Sequence, residues 1–122
     1  MKYGILRDSS LDVITVREHF NPKKLVKTYP GTGNPVLNIL KMNMTKKVRT
    51  GIYEYVQMGS VFIDRNKGHL VKLSTVSTEW CGNSFALYER FPDSATLKIS
   101  NYFDDLGTSK TEIRNPQHTV FL

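Results

Sequence analysis

The chain has 122 residues, a net charge of +6 and one cysteine, Cys81. A chain of this length can bury one hydrophobic core, and 39% apolar residues are too many for a disordered chain. The single cysteine excludes an internal disulfide and a multi-cysteine zinc site, and no apolar stretch is long enough for a membrane-spanning helix.

The first element in chain order is a short predicted helix. Asn21 is a good N-cap residue and Pro22 suits the first helical position, so the sequence predicts about two helical turns ending near Thr28. The helix lies within the most basic part of the chain. Between Arg17 and Arg49 there are eight basic residues and one acidic residue. This charge could attract an anionic partner, although a solvated face without a partner is the simpler interpretation.

The next elements are strands, because apolar and polar residues alternate with a period of two. Leu40, Met42 and Met44 are expected on one face, which together with Ile52 could hold an apolar or amphipathic ligand. The alternation continues through the following strand, so these four residues are predicted to share the opposite face: Lys47, Arg49, Tyr53 and Tyr55.

The remaining elements are also strands. A polar connection from Asp64 to Gly68 predicts a hairpin between residues 60–63 and 70–76, and residues 96–100 alternate again. Residues 1–122 are therefore expected to form one all-β domain with at most one short helix. Seven to nine strands would form one antiparallel sheet that is strongly curved or closed around an interior holding Trp80.

The most distinctive segment, Thr75–Asn83, resembles the Ser-Gln-Glu-Trp-Cys-Gly-His signature of a poorly characterised envelope-protein family of Bacteroidetes-type bacteria. It departs from the signature at Thr78, where Gln is usual, and at Asn83, where His is usual. Further landmarks of this family occur in the same order within residues 2–112: Tyr3-Gly4 with Arg7, Phe20–Lys27, Thr50–Tyr55, and Tyr102-Phe103 followed by Asp104-Asp105.

This resemblance implies a β-rich protein of the periplasm or cell envelope, and it supplies no established reaction. Members are longer and carry an export signal, so the chain would correspond to an N-terminal part or a shortened relative. Some are labelled septum-formation inhibitors, but nothing here resembles the nucleotide pyrophosphatase that normally bears that name. Without the resemblance, residues 1–7, which lack a secretion signal, and the unpaired thiol favour the cytoplasm.

Two groups of residues could carry chemistry. The shared face of Lys47, Arg49, Tyr53 and Tyr55 could grip single-stranded nucleic acid, an anionic lipid or a glycan, or the tyrosines could simply pack at the core margin. The second group, Glu79-Trp80-Cys81, contains a candidate thiol nucleophile. Its base would be one of three histidines: His19, His69 or His118.

The alternative for Trp80 and Cys81 is that both are core residues, which is the commoner place for an unpaired cysteine. The paired Asp104 and Asp105 fit a turn better than a catalytic pair, and the scattered histidines lack metal-ligand spacing. No cofactor or metal is expected.

The leading hypothesis is a non-enzymatic binding or structural module of the bacterial envelope that holds an amphipathic or anionic ligand. The alternatives are a single-stranded nucleic-acid-binding β-barrel and a thiol enzyme using Cys81. The candidate ligand-binding residues are Lys47, Arg49, Tyr53, Tyr55, Glu79 and Trp80. The proposed architecture and the envelope hypothesis both assume that the Trp80 indole is buried.

Overall fold

The computed structural model of the chain describes residues 9–31, 33–102 and 107–114. This part of the chain contains strands and turns but no helix. The strands are β1 (Ser9–Asn21), β2 (Val26–Lys27), β3 (Leu37–Arg49), β4 (Glu54–Asp64), β5 (Leu70–Glu79), β6 (Gly82–Arg90), β7 (Ser94–Ser100) and β8 (Thr108–Arg114). The predicted all-β class and the predicted number of strands are confirmed.

All eight strands form one antiparallel sheet in the order β2-β1-β3-β4-β5-β6-β7-β8. From β3 onwards each strand pairs with its neighbour in the chain, as hairpin connections require. The short strand β2 folds back onto the outer edge of β1. The sheet is open, because the strands at its two ends do not pair with each other.

The predicted helix at residues 21–28 is wrong. Residues 22–25 form a turn in which the Asn21 side-chain oxygen accepts hydrogen bonds from the Lys23 and Lys24 amides, at 2.9 and 3.1 Å. The Leu25 amide donates to the Asn21 carbonyl, and the chain then pairs with β1. A two-turn helix is only marginally stable by itself. The turn capped by Asn21 and the hydrogen bonds with the edge of β1 are therefore more favourable than the helix.

The hydrophobic core lies at one end of the sheet. It contains Phe20, Leu25, Ile39 and Val71, and the Phe20 and Phe62 rings are 4.8 Å apart between centroids. Leu25 adopts a left-handed backbone conformation with φ 53°, which places its buried side chain in this cluster. The Lys72 ammonium donates to the Leu25 carbonyl at 2.9 Å and so ties the turn to β5.

The sheet has two distinct faces, named here from β3. The methionine face bears Leu40, Met42 and Met44, and the lysine face bears Lys41 and Lys47. Side chains alternate between the two faces along each strand, and directly paired residues share a face. The predicted alternation over residues 40–45 is confirmed, as is the predicted hairpin between β4 and β5.

The expected continuation of the strand through residue 55 is wrong, because β3 ends at Arg49 and β4 begins at Glu54. The Thr50 amide and hydroxyl both donate to the Tyr53 carbonyl, at 2.8 and 2.7 Å, and reverse the chain. Ile52 therefore lies in a turn, 83% exposed, rather than on the methionine face.

This turn also changes which side chains share a face. Tyr55 pairs with Val48 and lies on the methionine face, whereas Lys47 pairs with Val56 and Arg49 with Glu54 on the lysine face. The predicted shared face of two cations and two tyrosines is wrong for that reason.

Candidate functional site

A groove crosses the methionine face. Its course follows five residues that lie directly opposite one another on successive strands: Met44, Gly59, Thr75, Ala86 and Ile99. The three central residues are small and the two outer ones are large, so the side chains form a floor between two apolar walls. The groove thus follows from the register of five strands.

The groove has a volume of about 420 Å³ and an apolar floor with a polar rim. The rim lies two residues further along the strands and comprises Lys46, Gln57, Ser77, Ser84 and Asn101. A Cβ atom on Gly59 would stand 3.9 Å from the Thr75 methyl and 4.0 Å from the Met44 Cε. A methyl group there would therefore be tolerated, whereas a larger side chain would occupy the groove.

An aromatic cluster lies at the end of the sheet where the β3–β4 turn and the β5–β6 hairpin meet. Trp80 occupies the two-residue turn between Glu79 and Gly82 and is 78% exposed. Its ring and the Tyr53 ring are 6.2 Å apart between centroids and within 25° of parallel. Tyr55 adds a third ring, 5.2 Å from Tyr53 and tilted by 59°.

Polar atoms of the aromatic cluster lie close together. The hydroxyls of Tyr53 and Tyr55 are 3.2 Å apart, and the Glu79 carboxylate is near enough to the Tyr55 hydroxyl to affect its pKa. The contact with Tyr53, partial burial and Glu79 raise the pKa of Tyr55 well above its usual value of 10.0, in that order of importance. Tyr55 therefore stays protonated and can donate a hydrogen bond at any physiological pH.

The aromatic cluster and the groove are continuous. Tyr55 precedes the rim residue Gln57 by two positions in β4, and Glu79 follows the rim residue Ser77 by two positions in β5. Two residues along a strand span about 7 Å and return to the same face. One elongated ligand could therefore contact both features.

Tyr102 lies beside the same hairpin. A Cβ atom on Gly82 would come within 2.0 Å of the Tyr102 ring, so this close approach requires glycine at position 82. The Tyr102 amide donates to the Ser84 hydroxyl at 3.0 Å. The hairpin that carries Trp80 is thus supported from one side.

Four of the predicted site residues come together: Tyr53, Tyr55, Glu79 and Trp80. The two cations do not join them, because Lys47 and Arg49 line a separate shallow pocket that Glu54 also lines. The basic residues of the stretch from Arg17 to Arg49 lie on both faces of the sheet. Lys46 faces the groove, whereas Lys41 forms a salt bridge with Glu18 on the lysine face. The nucleic-acid hypothesis assumed that basic and aromatic side chains share one face, and the structure does not have such a face.

The expectation that Trp80 and Cys81 are core residues is wrong. Both form the exposed turn of the β5–β6 hairpin. His69 lies before β5 and Cys81 after it, so the full strand of about 30 Å separates them. His19 pairs with Asn38 at the same end of the sheet as His69. Neither of these histidines can act as a base for the Cys81 thiol.

Some of the sequence-based predictions concern residues outside the described ranges. These residues are His118, Phe103, Asp104, Asp105 and the opening Tyr3-Gly4 with Arg7. Within residues 9–31, 33–102 and 107–114, no group of three or more His, Cys, Asp or Glu side chains is placed to hold a metal ion. The same ranges contain no helix long and apolar enough to cross a membrane.

Sequence reasoning identified Met44 as part of the apolar side but missed Gly59, Thr75, Ala86 and Ile99. These residues form a groove only when the register of β3 to β7 aligns them. The available signal is one small residue near the middle of each of three successive strands.

Comparison with known protein families, with curated proteins and with solved structures finds no match to this chain.

Proposed function

We propose that this chain is a non-enzymatic binding module that holds an amphipathic ligand in the groove of the methionine face. The observation that carries the proposal is the cross-strand row from Met44 to Ile99, which forms an apolar depression of about 420 Å³. Sites for small ligands have volumes of about 300–1,000 Å³, mostly apolar walls and a few polar groups.

The lining supports an amphipathic ligand over a purely polar one. Met44 and Ile99 offer apolar walls, and a methionine side chain adapts to ligands of different shape. The amide, hydroxyl and ammonium groups of the rim suit the polar part of such a ligand. A strictly anionic ligand has less support, because Lys46 is the only cation among the groove-lining residues.

We also propose the bacterial envelope as the location, and this part rests on the resemblance of residues 75–83 to the envelope-protein signature. Burial of Trp80 no longer supports it, since the indole is exposed. Fractionation of the cells that encode the chain into cytoplasm and envelope, followed by immunodetection, tests the location. Recovery in the cytoplasmic fraction alone would refute it and leave the groove unaffected.

The groove is tested with an environment-sensitive apolar dye, anilinonaphthalene sulfonate, displaced by dodecanoate. The wild-type chain is expected to enhance the dye's fluorescence, and dodecanoate should reverse the enhancement. Gly59→Leu should abolish both effects because the new side chain occupies the groove.

Gly59→Ala is the matched control, because its methyl group fits at ordinary van der Waals distances. Thermal unfolding of both variants verifies that they fold. Equal dye binding by wild type and a folded Gly59→Leu variant would show that the dye binds elsewhere and would refute the proposal.

A further inference from the structure

We propose that the aromatic cluster binds the head of the same ligand and that this head is an uncharged sugar, so that the ligand class is a glycolipid or alkyl glycoside. This inference rests on the proposed function of the groove. The aromatic cluster is defined by Tyr53, Tyr55 and Trp80 together with the Glu79 carboxylate.

The first argument is the shape of the exposed aromatic surface. The Tyr53 and Trp80 rings stack within 25° of parallel, and the indole, 78% exposed, still offers ring surface to a ligand. The C–H groups of a sugar ring carry partial positive charge and pack against the negative face of an aromatic ring. A quaternary ammonium is held best where several ring faces converge on one point. Of the three rings only Tyr55 is tilted, by 59° from Tyr53, whereas Tyr53 and Trp80 are nearly parallel and do not converge.

The second argument is charge and hydrogen bonding. Glu79 places a carboxylate beside the rings, which disfavours a phosphate, sulfate or carboxylate head by like-charge repulsion. The same carboxylate and the hydroxyls of Tyr53 and Tyr55 offer acceptors and donors to sugar hydroxyl groups. These acceptors and donors match a neutral, hydroxyl-rich head.

The third argument is position. Two members of the aromatic cluster, Tyr55 and Glu79, lie about 7 Å beyond the polar rim of the groove, on the same face and on the same strands. An alkyl chain that leaves the groove along β4 and β5 would bring its head group to Tyr55 and Glu79, next to the Tyr53 and Trp80 rings. The exposure of this indole, 78% in a chain that buries Phe20 to 2%, leaves it free to contact the head.

The test compares three ligands that share a decyl chain and differ in the head: decyl maltoside, decyl sulfate and decyltrimethylammonium. Each is titrated calorimetrically below its micelle concentration. The wild-type chain is expected to bind the maltoside at least about fivefold more tightly than the other two, the gain typical of one aromatic stacking contact.

Trp80→Ala should remove this preference and leave binding of the sulfate and the ammonium unchanged, whereas Trp80→Phe should retain most of it. Tyr29→Ala is the matched control, because Tyr29 is an exposed aromatic residue outside the aromatic cluster. Circular dichroism should show all three variants folded, since none of these side chains is buried.

The possible failures are distinguishable. Equal affinity for the three ligands, or tightest binding of the ammonium or the sulfate, would overturn the sugar inference and leave the groove proposal standing. An equal loss of affinity for all three ligands in Trp80→Ala would also overturn it. Failure of the wild-type chain to bind any decyl ligand would refute the groove proposal and the inference together.

Discussion

The two ends of the sheet use aromatic residues in opposite ways. At the core end, Phe20 is buried beneath the turn that carries Leu25, and the Phe62 ring packs beside it. At the hairpin end, Tyr53 and Trp80 stack on each other, and the indole remains open to solvent. A single sheet buries its side chains only where another segment covers them. The comparison therefore separates residues that stabilise the fold from residues that are free to bind.

The largest expected effect is a loss of stability when the core end is disrupted. Ile39→Ala should lower the free energy of unfolding by about 2–5 kcal/mol, because Ile39 is fully buried and the variant leaves a cavity. Trp80→Ala removes a larger side chain but should cost only about 0.5 kcal/mol or less, because the indole is exposed. Urea unfolding of the two variants measures this contrast. Similar losses in both would show that the two ends do not differ in this way.

The next effect concerns a buried polar group at the core end. Asp64 is 3% exposed, and its carboxylate accepts hydrogen bonds from the amides of Asn66 and Lys67 at 2.8 and 3.1 Å. Asp64→Ala should cost about 1–3 kcal/mol, because it removes the acceptor of two turn amides. Asp93→Ala in an exposed turn is the control. No difference between the two variants in urea unfolding would contradict this prediction.

A smaller effect at the hairpin end depends on pH. The pKa of Tyr55 is raised in the folded chain, so above pH 10 the unfolded chain loses its phenolic proton first. The associated stability is therefore complete below pH 10 and decreases as the pH rises further. Tyr55→Phe should weaken the loss of stability between pH 9 and pH 11, measured by urea unfolding, whereas Tyr29→Phe should not. An unchanged pH dependence in Tyr55→Phe would contradict the assignment.

The smallest effect lies at the core end. Burial, and then the positive charge of Arg90, lower the pKa of His69 below 6.5 in the folded chain. The unfolded chain therefore takes up a proton first as the pH falls, so the contribution of His69 is complete above pH 6.5 and is lost at lower pH. Proton NMR should show a lower pKa for His69 in the native chain than in concentrated urea. A higher native value would reverse the predicted sign.

The strands could be predicted from the sequence because their alternation is local, and so could the β4–β5 hairpin with its polar connection. The turn at Thr50–Tyr53 was missed, since Ile52 and Tyr53 have strand-forming side chains. Only the hydrogen bonds of Thr50 show the reversal. That one error moved Tyr55 to the other face and made the candidate site look basic.

The sequence predicts burial of Trp80, and this prediction fails for a different physical reason. Large aromatic residues are usually well buried, and the Trp80-Cys81 turn lacks the Asn-Gly or Asp-Gly pair that announces a two-residue hairpin. The aromatic partners of Trp80 are more than 20 positions away in sequence, so no local pattern records their contact. The groove likewise depends on alignment between strands, which composition does not reveal.

The order of the strands has a consequence for how the chain assembles. From β4 to β8 every strand contacts only strands adjacent to it in the chain, and this resembles the arrangement in repeat arrays. Folding can therefore proceed as successive addition of hairpins, with little long-range search. By the same logic, fraying should begin at β8, which is exposed along its whole length, and advance inward one strand at a time while the central hairpin stays intact.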